Sequence, residues 1–264
     1  MTRALEVKGL TARRGGIRAL DSVDVEVGEW EIVGLVGPDG AGKTTLLDTV
    51  TGVVRPARGT VHLRGIDVTG LPPHRRTAMG LARTWEDHGA VPTLTLMENL
   101  LTAQHGHIRY SSIGGMVGSP WTFFEERELR HDAEEILEFL ELWDLRNRPA
   151  GRLSLALRRR LDVALALATD PTLLLLDEAS TGLGPEETRE LGRTLSVLRS
   201  ELGLTVLLAE HDARMALEVC DYVYVLNSGR VLAKGPPEAI REEAQVAAAY
   251  LGEEASEKED GASA

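Results

Sequence analysis

Gly37, Gly42, Lys43 and Thr44 stand at the spacing G-x-x-x-x-G-K-[ST] inside EIVGLVGPDGAGKTTLLDTV, residues 31–50. Those residue types suit a cradle for phosphate. Glycines let main-chain N–H groups close around phosphate oxygens with no Cβ in the way, and the turn opens a helix whose N-terminus favours anions. Lys43 has the reach for terminal phosphates, and the Thr44 hydroxyl suits a magnesium ion. Asp39, Gly40, Ala41 and Thr45 complete the loop. Residues 31–36 read as a buried strand before it, and Leu46, Leu47 and Val50 continue a helix after it. A glycine-rich turn that merely carries a lysine is the bland alternative, and these flanks argue against it. The expectation is a nucleotide site.

LLLLDEA, residues 173–179, ends a buried strand with two carboxylates. An acid at that end of a parallel strand faces the crevice where ligands bind. Asp177 there suits magnesium, directly or through water, and Glu178 suits a base that orients the attacking water. Taken alone, the pair reads equally well as an acidic helix cap; paired with the upstream loop, the metal reading is favoured. His211, in LLAEHDA, follows another apolar strand. A lone histidine after a strand is more often structural, but beside residues 173–177 it would reach a terminal phosphate.

The elements around these residues follow from periodicity. Short apolar runs over residues 4–80, among them VDVEV and TVHLR, alternate as half-buried antiparallel strands do. From about 94 to 167 the period turns helical: Ile136, Phe139, Leu140 and Trp143 share one face, and Glu134, Glu135, Glu138 and Glu141 the solvated other. Glycines and serines over 105–124 mark a long loop. From Pro171 the β/α rhythm returns, with continuous apolar strands of a sheet buried on both faces.

The chain has 264 residues, enough for one large α/β domain with an insertion. A net charge of −12 lacks the basic footprint of a nucleic-acid binder. The single cysteine, Cys220, allows no intrachain disulfide and fits a reducing compartment. MTRALEVKGL lacks the apolar core of a secretion signal, and no run approaches a membrane span.

In order, GPDGAGKTT, RTWE, LSLALRRR, LLLLDEAS and AEHD resemble the nucleotide-binding subunit of an ABC transporter. The resemblance covers nearly the whole chain. The PPEAI and AAAYLGE stretches are most similar to branched-chain amino acid import ATPases, with lipopolysaccharide-export and amide- or urea-import ATPases close behind. It implies an α/β fold: a P-loop NTPase (RecA-like) core with an antiparallel β subdomain and an inserted α-helical subdomain. The single ATPase domain would span 1–252, its core 1–89 and 166–252, its helical subdomain about 90–165, followed by a disordered acidic tail at 253–264. It further implies ATP and Mg²⁺ as ligands, with Lys43, Thr44 and Thr45 on phosphates and metal, Asp177 completing the metal site, Glu178 as base and His211 as γ-phosphate sensor. Two such subunits would close head to tail on two ATP molecules, peripheral to permease subunits at the cytoplasmic face of the plasma membrane.

Five places depart from the family pattern, the signature counted as one. The signature LSGGQ reads Leu153, Ser154, Leu155, Ala156, Leu157. Ala156 replaces a glycine that allows close approach, and Leu157 a hydrogen-bonding glutamine; Arg158, Arg159 and Arg160 follow, either compensating in charge or forming a solvated basic face. Glu86 stands for the glutamine that touches magnesium and the membrane subunit. Arg14 takes the place of an adenine-stacking aromatic, and its guanidinium plane can stack too. Asp39 and Gly184 alter the dimer junction. Groups serving the chain's own ATP are kept, whereas those lent to the partner (Ser154 to Leu157) are eroded. The expected assembly is a heterodimer with a second ATPase subunit and unequal sites. A regulatory subunit with little hydrolysis is the alternative; a translation or DNA-repair ATPase is disfavoured by the single cassette, the acidic balance and the lack of a CxxC pair.

Overall fold

The computed structural model describes residues 2–85, 89–107 and 120–242. Glu86 and the expected tail at 253–264 lie outside these.

Two sheets organise the described chain. The first is antiparallel, in the order β2-β1-β4-β5, from β1 (Arg3–Arg14), β2 (Ile17–Gly28), β4 (Arg58–Leu63) and β5 (Ile66–Asp67). Its alternation is that of the sequence: Val23, Val25 and Val27 are buried, and Asp24 and Glu26 exposed. The second has the order β10-β9-β3-β8-β7-β6. Its strands are β3 (Ile32–Val36), β6 (Leu81–Arg83), β7 (Leu173–Asp177), β8 (Thr205–Glu210), β9 (Tyr222–Asn227) and β10 (Arg230–Gly235). The first five of these run parallel, and β10 closes the edge antiparallel to β9. Every residue of β3, β7 and β8 is buried, which explains their uninterrupted apolar runs.

That sheet lies between two apolar clusters. One joins it to the antiparallel sheet through Leu5, Val25, Leu35 and Leu207, and includes Leu46 and Leu47 of helix α1 (Lys43–Thr51). The other joins its opposite face to the helical part through Leu100, Leu137, Leu161 and Leu176. The helical part holds α3 (Leu96–Ala103), α4 (Pro120–Phe139) and α5 (Leu155–Leu167); α2 (Pro73–Thr77) comes earlier. Thr95 and Glu98 form a capping box at the start of α3. The expected loop over 105–124 is too long at its C-terminal end. Pro120 opens α4, because its missing N–H and fixed φ suit a first helical position. Residues 108–119 lie outside the described ones. Helices α6 (Pro185–Leu202), α7 (Ala213–Val219) and α8 (Pro237–Glu242) complete the fold.

One residue secures α1, and with it the loop that leads in. Arg76 is 1% exposed. Its guanidinium donates to the Thr49 and Val50 carbonyls at 2.8 and 2.7 Å, and to those of Thr69 and Leu71 at 3.1 and 3.0 Å. Thr49 and Val50 belong to the last turn of α1, where carbonyls lack helical partners and the dipole favours a cation. Arg76→Met strands those acceptors, and is expected to lower unfolding free energy by about 3 kcal/mol. A urea-unfolding midpoint unchanged from wild type would contradict it.

Candidate functional site

The strand order brings the separate sequence segments to one edge. β8 lies between β3 and β7, so the loop after β3, the acids ending β7 and His211 after β8 share the carboxyl end of the parallel sheet. This is where an open α/β sheet binds ligands.

The loop's glycines answer two different demands. A Cβ on Gly37 would collide with the Leu226 carbonyl oxygen. Gly42, at φ 109°, precedes the first residue of α1, and a Cβ there would sit 2.7 Å from the Ala19 carbonyl oxygen. Strands β2 and β9 therefore press on the loop from outside, and only glycine leaves room.

Lys43 is 4% exposed, and a buried ammonium requires partners. Its Nζ donates to the Gly37 carbonyl at 2.8 Å and the Pro38 carbonyl at 3.4 Å, and lies 3.4 Å from Glu178 Oε1. Lys43 and Glu178, far apart in sequence, thus face each other across the mouth of the loop. Glu178 has φ 49°, in the left-handed region that a non-glycine residue enters at a cost. Its N–H donates to the Ala209 carbonyl, pinning the turn to β8. His211 is half exposed, with Nδ1 3.7 Å from Asp39 Oδ1. Thr44 is half buried and Thr45 buried on the first turn of α1, while Gly40 and Ala41 lie in the loop.

Asp177 is buried, and one of its oxygens, Oδ2, receives the Arg83 Nη2 at 2.7 Å. The other, Oδ1, has no hydrogen-bond partner among the described residues. Burial pushes the carboxyl's pKa up, against the pull of Arg83. A buried carboxylate oxygen left open fits a magnesium ion or its bound water. With the Thr44 hydroxyl, and with nucleotide phosphates supplying further oxygens, the donor set suits this ion, which takes few protein ligands.

Arg14 ends β1 largely exposed, its Nη1 3.6 Å from Asp48 Oδ2 on α1. Ser154 caps α5: its Oγ accepts from the Leu157 N–H at 3.4 Å. Leu155 rests against Gly182 in the loop after the acids, Ala156 is half buried, and Leu157 packs on the apolar cluster. The three arginines that follow do not form a solvated face: Arg158 and Arg160 are half buried and Arg159 is buried. Arg158 donates to the Leu153 and Gly151 carbonyls, Arg159 is buried and donates to the Thr181 carbonyl, and Arg160 pairs with Glu141 and Glu190. Gly184 caps α6, its N–H bonded to Glu187.

A further carboxylate, absent from the sequence reading, belongs to this edge. Glu210, 1% exposed at the end of β8, accepts hydrogen bonds from the Ser180 N–H at 3.0 Å and the Ser180 hydroxyl at 2.6 Å. It ties the segment after Glu178 to the strand before His211. Burial pushes its carboxyl up to about 7, aided by the charge of Glu178 and opposed by Ser180 and Arg159. The only sequence signal was an acid closing an otherwise apolar strand.

The fold and this edge define a P-loop ATPase of the cassette type. The family model described as ABC transporter matches residues 20–181, and one described as branched-chain amino acid ATP-binding cassette transporter matches residues 230–256. The chain belongs to the ABC transporter family. It is 41% identical to the high-affinity branched-chain amino acid transport ATP-binding protein BraF of Pseudomonas aeruginosa, over 94% of this chain and 98% of that one. It is 39% identical to the Escherichia coli protein LivG of the same description, with the same coverage. The lipopolysaccharide export system ATP-binding protein LptB of Acidithiobacillus ferridurans is 35% identical over 88% of this chain and 90% of its own. Among solved structures, the ADP conformation of MJ1267, an ATP-binding cassette of an ABC transporter, superposes with a TM-score of 0.83 at 27% identity, covering 96% of this chain and all of that one.

Glu210 has a measurable consequence. The folded chain keeps its proton up to about pH 7, whereas an unfolded chain releases it near 4.5. Stability therefore falls as pH rises between those values, by about 3 kcal/mol in total, and stays level above them. Glu210→Gln removes that slope and gains stability over wild type at pH 8 but not at pH 4.5. Melting curves of both proteins across this range check it; parallel pH profiles would refute it.

Proposed function

We propose that this chain is the ATP-binding and ATP-hydrolysing subunit of an importer for branched-chain amino acids or similar small solutes. The observation that carries the reading is the meeting of Lys43, Glu178 and the open Asp177 oxygen at one sheet edge. The likeness to BraF and LivG, and the branched-chain match at 230–256, support the solute class.

In this reading the main-chain N–H groups from Asp39 to Thr45 receive the phosphates, and Lys43 exchanges its carbonyl partners for their oxygens. Thr44 and Asp177 would hold the magnesium, which would supply charge neutralisation at the phosphates. Glu178 accepts a hydrogen bond from the attacking water and orients it, and His211 donates to the γ-phosphate. Arg14, exposed at the end of β1, would supply a guanidinium plane for stacking on the adenine. Glu86, which lies outside the described residues, would supply a further carboxylate for the metal.

A cleft of about 340 Å³ separates the segment Leu81–Trp85 from α3 and α5, and Trp85, 46% exposed, forms part of its wall. Trp85 is thus a surface residue, and this cleft suits a helix of the permease. No described helix is long and apolar enough to cross a membrane. Attachment to the cytoplasmic face would come through such permease subunits.

The assembly would be a heterodimer of two cassettes. Leu157 turns into its own apolar cluster and offers no polar group to a partner's phosphate, so this chain's contribution to the opposite site is weak. A partner with an intact signature would leave one site competent and one impaired. The same observation favours a second reading, a nucleotide-binding regulatory subunit with little hydrolysis.

Lys43→Ala is expected to weaken ATP binding at least tenfold, measured with a fluorescent analogue. Glu178→Gln should keep binding and slow turnover about a hundredfold or more. Turnover by the isolated chain should be low and rise on mixing with the partner cassette; vigorous turnover as a homodimer would defeat the asymmetric assembly. Transport undiminished in a complex carrying Glu178→Gln would favour the regulatory reading.

A further inference from the structure

Arg83 sits where three parts of the molecule meet. It ends β6, and its side chain is 3% exposed. Nη1 lies 2.7 Å from Asp48 Oδ1 on α1, the helix that carries the phosphate loop. Nη2 lies 2.7 Å from Oδ2 of Asp177. The guanidinium carbon stands 4.3 Å from the centre of the Trp85 ring, stacked on the indole that walls the cleft. The remaining donor, Nε, is buried without a partner among the described residues. Asp48 is itself approached by Arg14 at 3.6 Å, so alternating charges run Arg14, Asp48, Arg83, Asp177 from the surface to the open carboxylate oxygen.

Consider the balance at this guanidinium. Two carboxylates hold it from two sides, and one is the acid whose free oxygen fits a metal ion. Any divalent charge near Asp177 draws on that carboxylate and repels the guanidinium behind it. Asp48 is under no such demand and keeps its hold on Nη1. The planar fork can therefore yield on the Asp177 side only, by tilting about its bond to Asp48. The indole rests on the face of that same plane, so a tilt alters the environment of Trp85.

We propose that Arg83 is a positioning residue that reports metal occupancy at Asp177 to the cleft wall at Trp85. One end of the device fixes the acid, and the other sets the ring that a docked helix would meet. Lysine would keep the charge but neither the fork nor the flat face. The inference rests on the reading of Asp177 as the magnesium acid, but needs no permease and no hydrolysis to be seen.

The test uses the full chain labelled with 5-fluorotryptophan, the Trp85 fluorine resonance being assigned by its loss in Trp85→Phe. Nucleotide binding is monitored separately with a fluorescent analogue. Mg-ATP is expected to shift the Trp85 resonance, whereas ATP with EDTA is not. In Arg83→Lys the magnesium-dependent shift should fall to half or less while nucleotide still binds. A resonance unmoved by magnesium with nucleotide bound, or a full shift kept in Arg83→Lys, overturns the proposal. Should Arg83→Lys fail to fold, the wild-type comparison with and without magnesium decides alone. Failure of the wild-type chain to bind nucleotide at all would overturn the site reading, and this inference with it.

Discussion

Buried charge at the carboxyl edge of the parallel sheet is the constraint to which the rest of the structure answers. Lys43, Asp177 and Glu210 are each no more than 4% exposed, and a group so buried must be paired, hydrogen-bonded or neutralised. Each is held by a specific partner: Lys43 by loop carbonyls and Glu178, Asp177 by Arg83, and Glu210 by Ser180. The network leaves an acceptor open at Asp177 Oδ1 and an ammonium resting on carbonyls it can exchange. Such a site is preorganised for a doubly charged ion and an anion together, since the cost of desolvating its groups was met in folding.

Holding those charges in register requires rigid supports on both faces of the sheet. The apolar strands β3, β7 and β8 fix the heights of the loop, the acids and His211 relative to one another. A one-residue slip of β7 would turn Asp177 to the opposite face of the sheet. Arg76 closes the far end of α1, and Ser154 opens α5 beside the loop after the acids. Leu155 against Gly182, and Arg159 on the Thr181 carbonyl, bind the signature segment to the chain's own acid loop. That segment is therefore part of the same packed unit as the site, although its family role lies in a neighbouring subunit's site.

What the sequence disclosed was whatever is local. Residues 37–45 declare a loop and a helix start by spacing alone, and LLLLDE declares a buried strand with acids at its end. The alternation of VDVEV gave the antiparallel sheet. Partners distant along the chain were silent. Arg83 meets acids 35 and 94 residues away, and Ser180 meets Glu210 across 30. Nothing in RTWE says that its arginine will be buried, since arginine is ordinarily exposed and only a found partner makes burial tolerable. The start of α4 was obscured for another reason: the glycines and serines before Pro120 carried the loop reading past a residue that begins helices. The arginines after the signature looked like a solvated face because spacing records their period but not the carbonyls waiting for them.

The eroded signature then has a physical explanation within one chain. A glutamine at 157 would have to point outward to serve a neighbour's phosphate, whereas a leucine there is drawn into the apolar cluster by its own transfer free energy, about 2 kcal/mol when fully buried. A leucine at this position thus adds cohesion within the chain. It is tolerable only if the opposite site can do without the glutamine, whereas the chain's own Lys43, Asp177 and Glu178 cannot be spared if it hydrolyses ATP. In the asymmetric assembly proposed above, a subunit with its own acids kept and Leu157 turned inward would receive more from its partner than it gives.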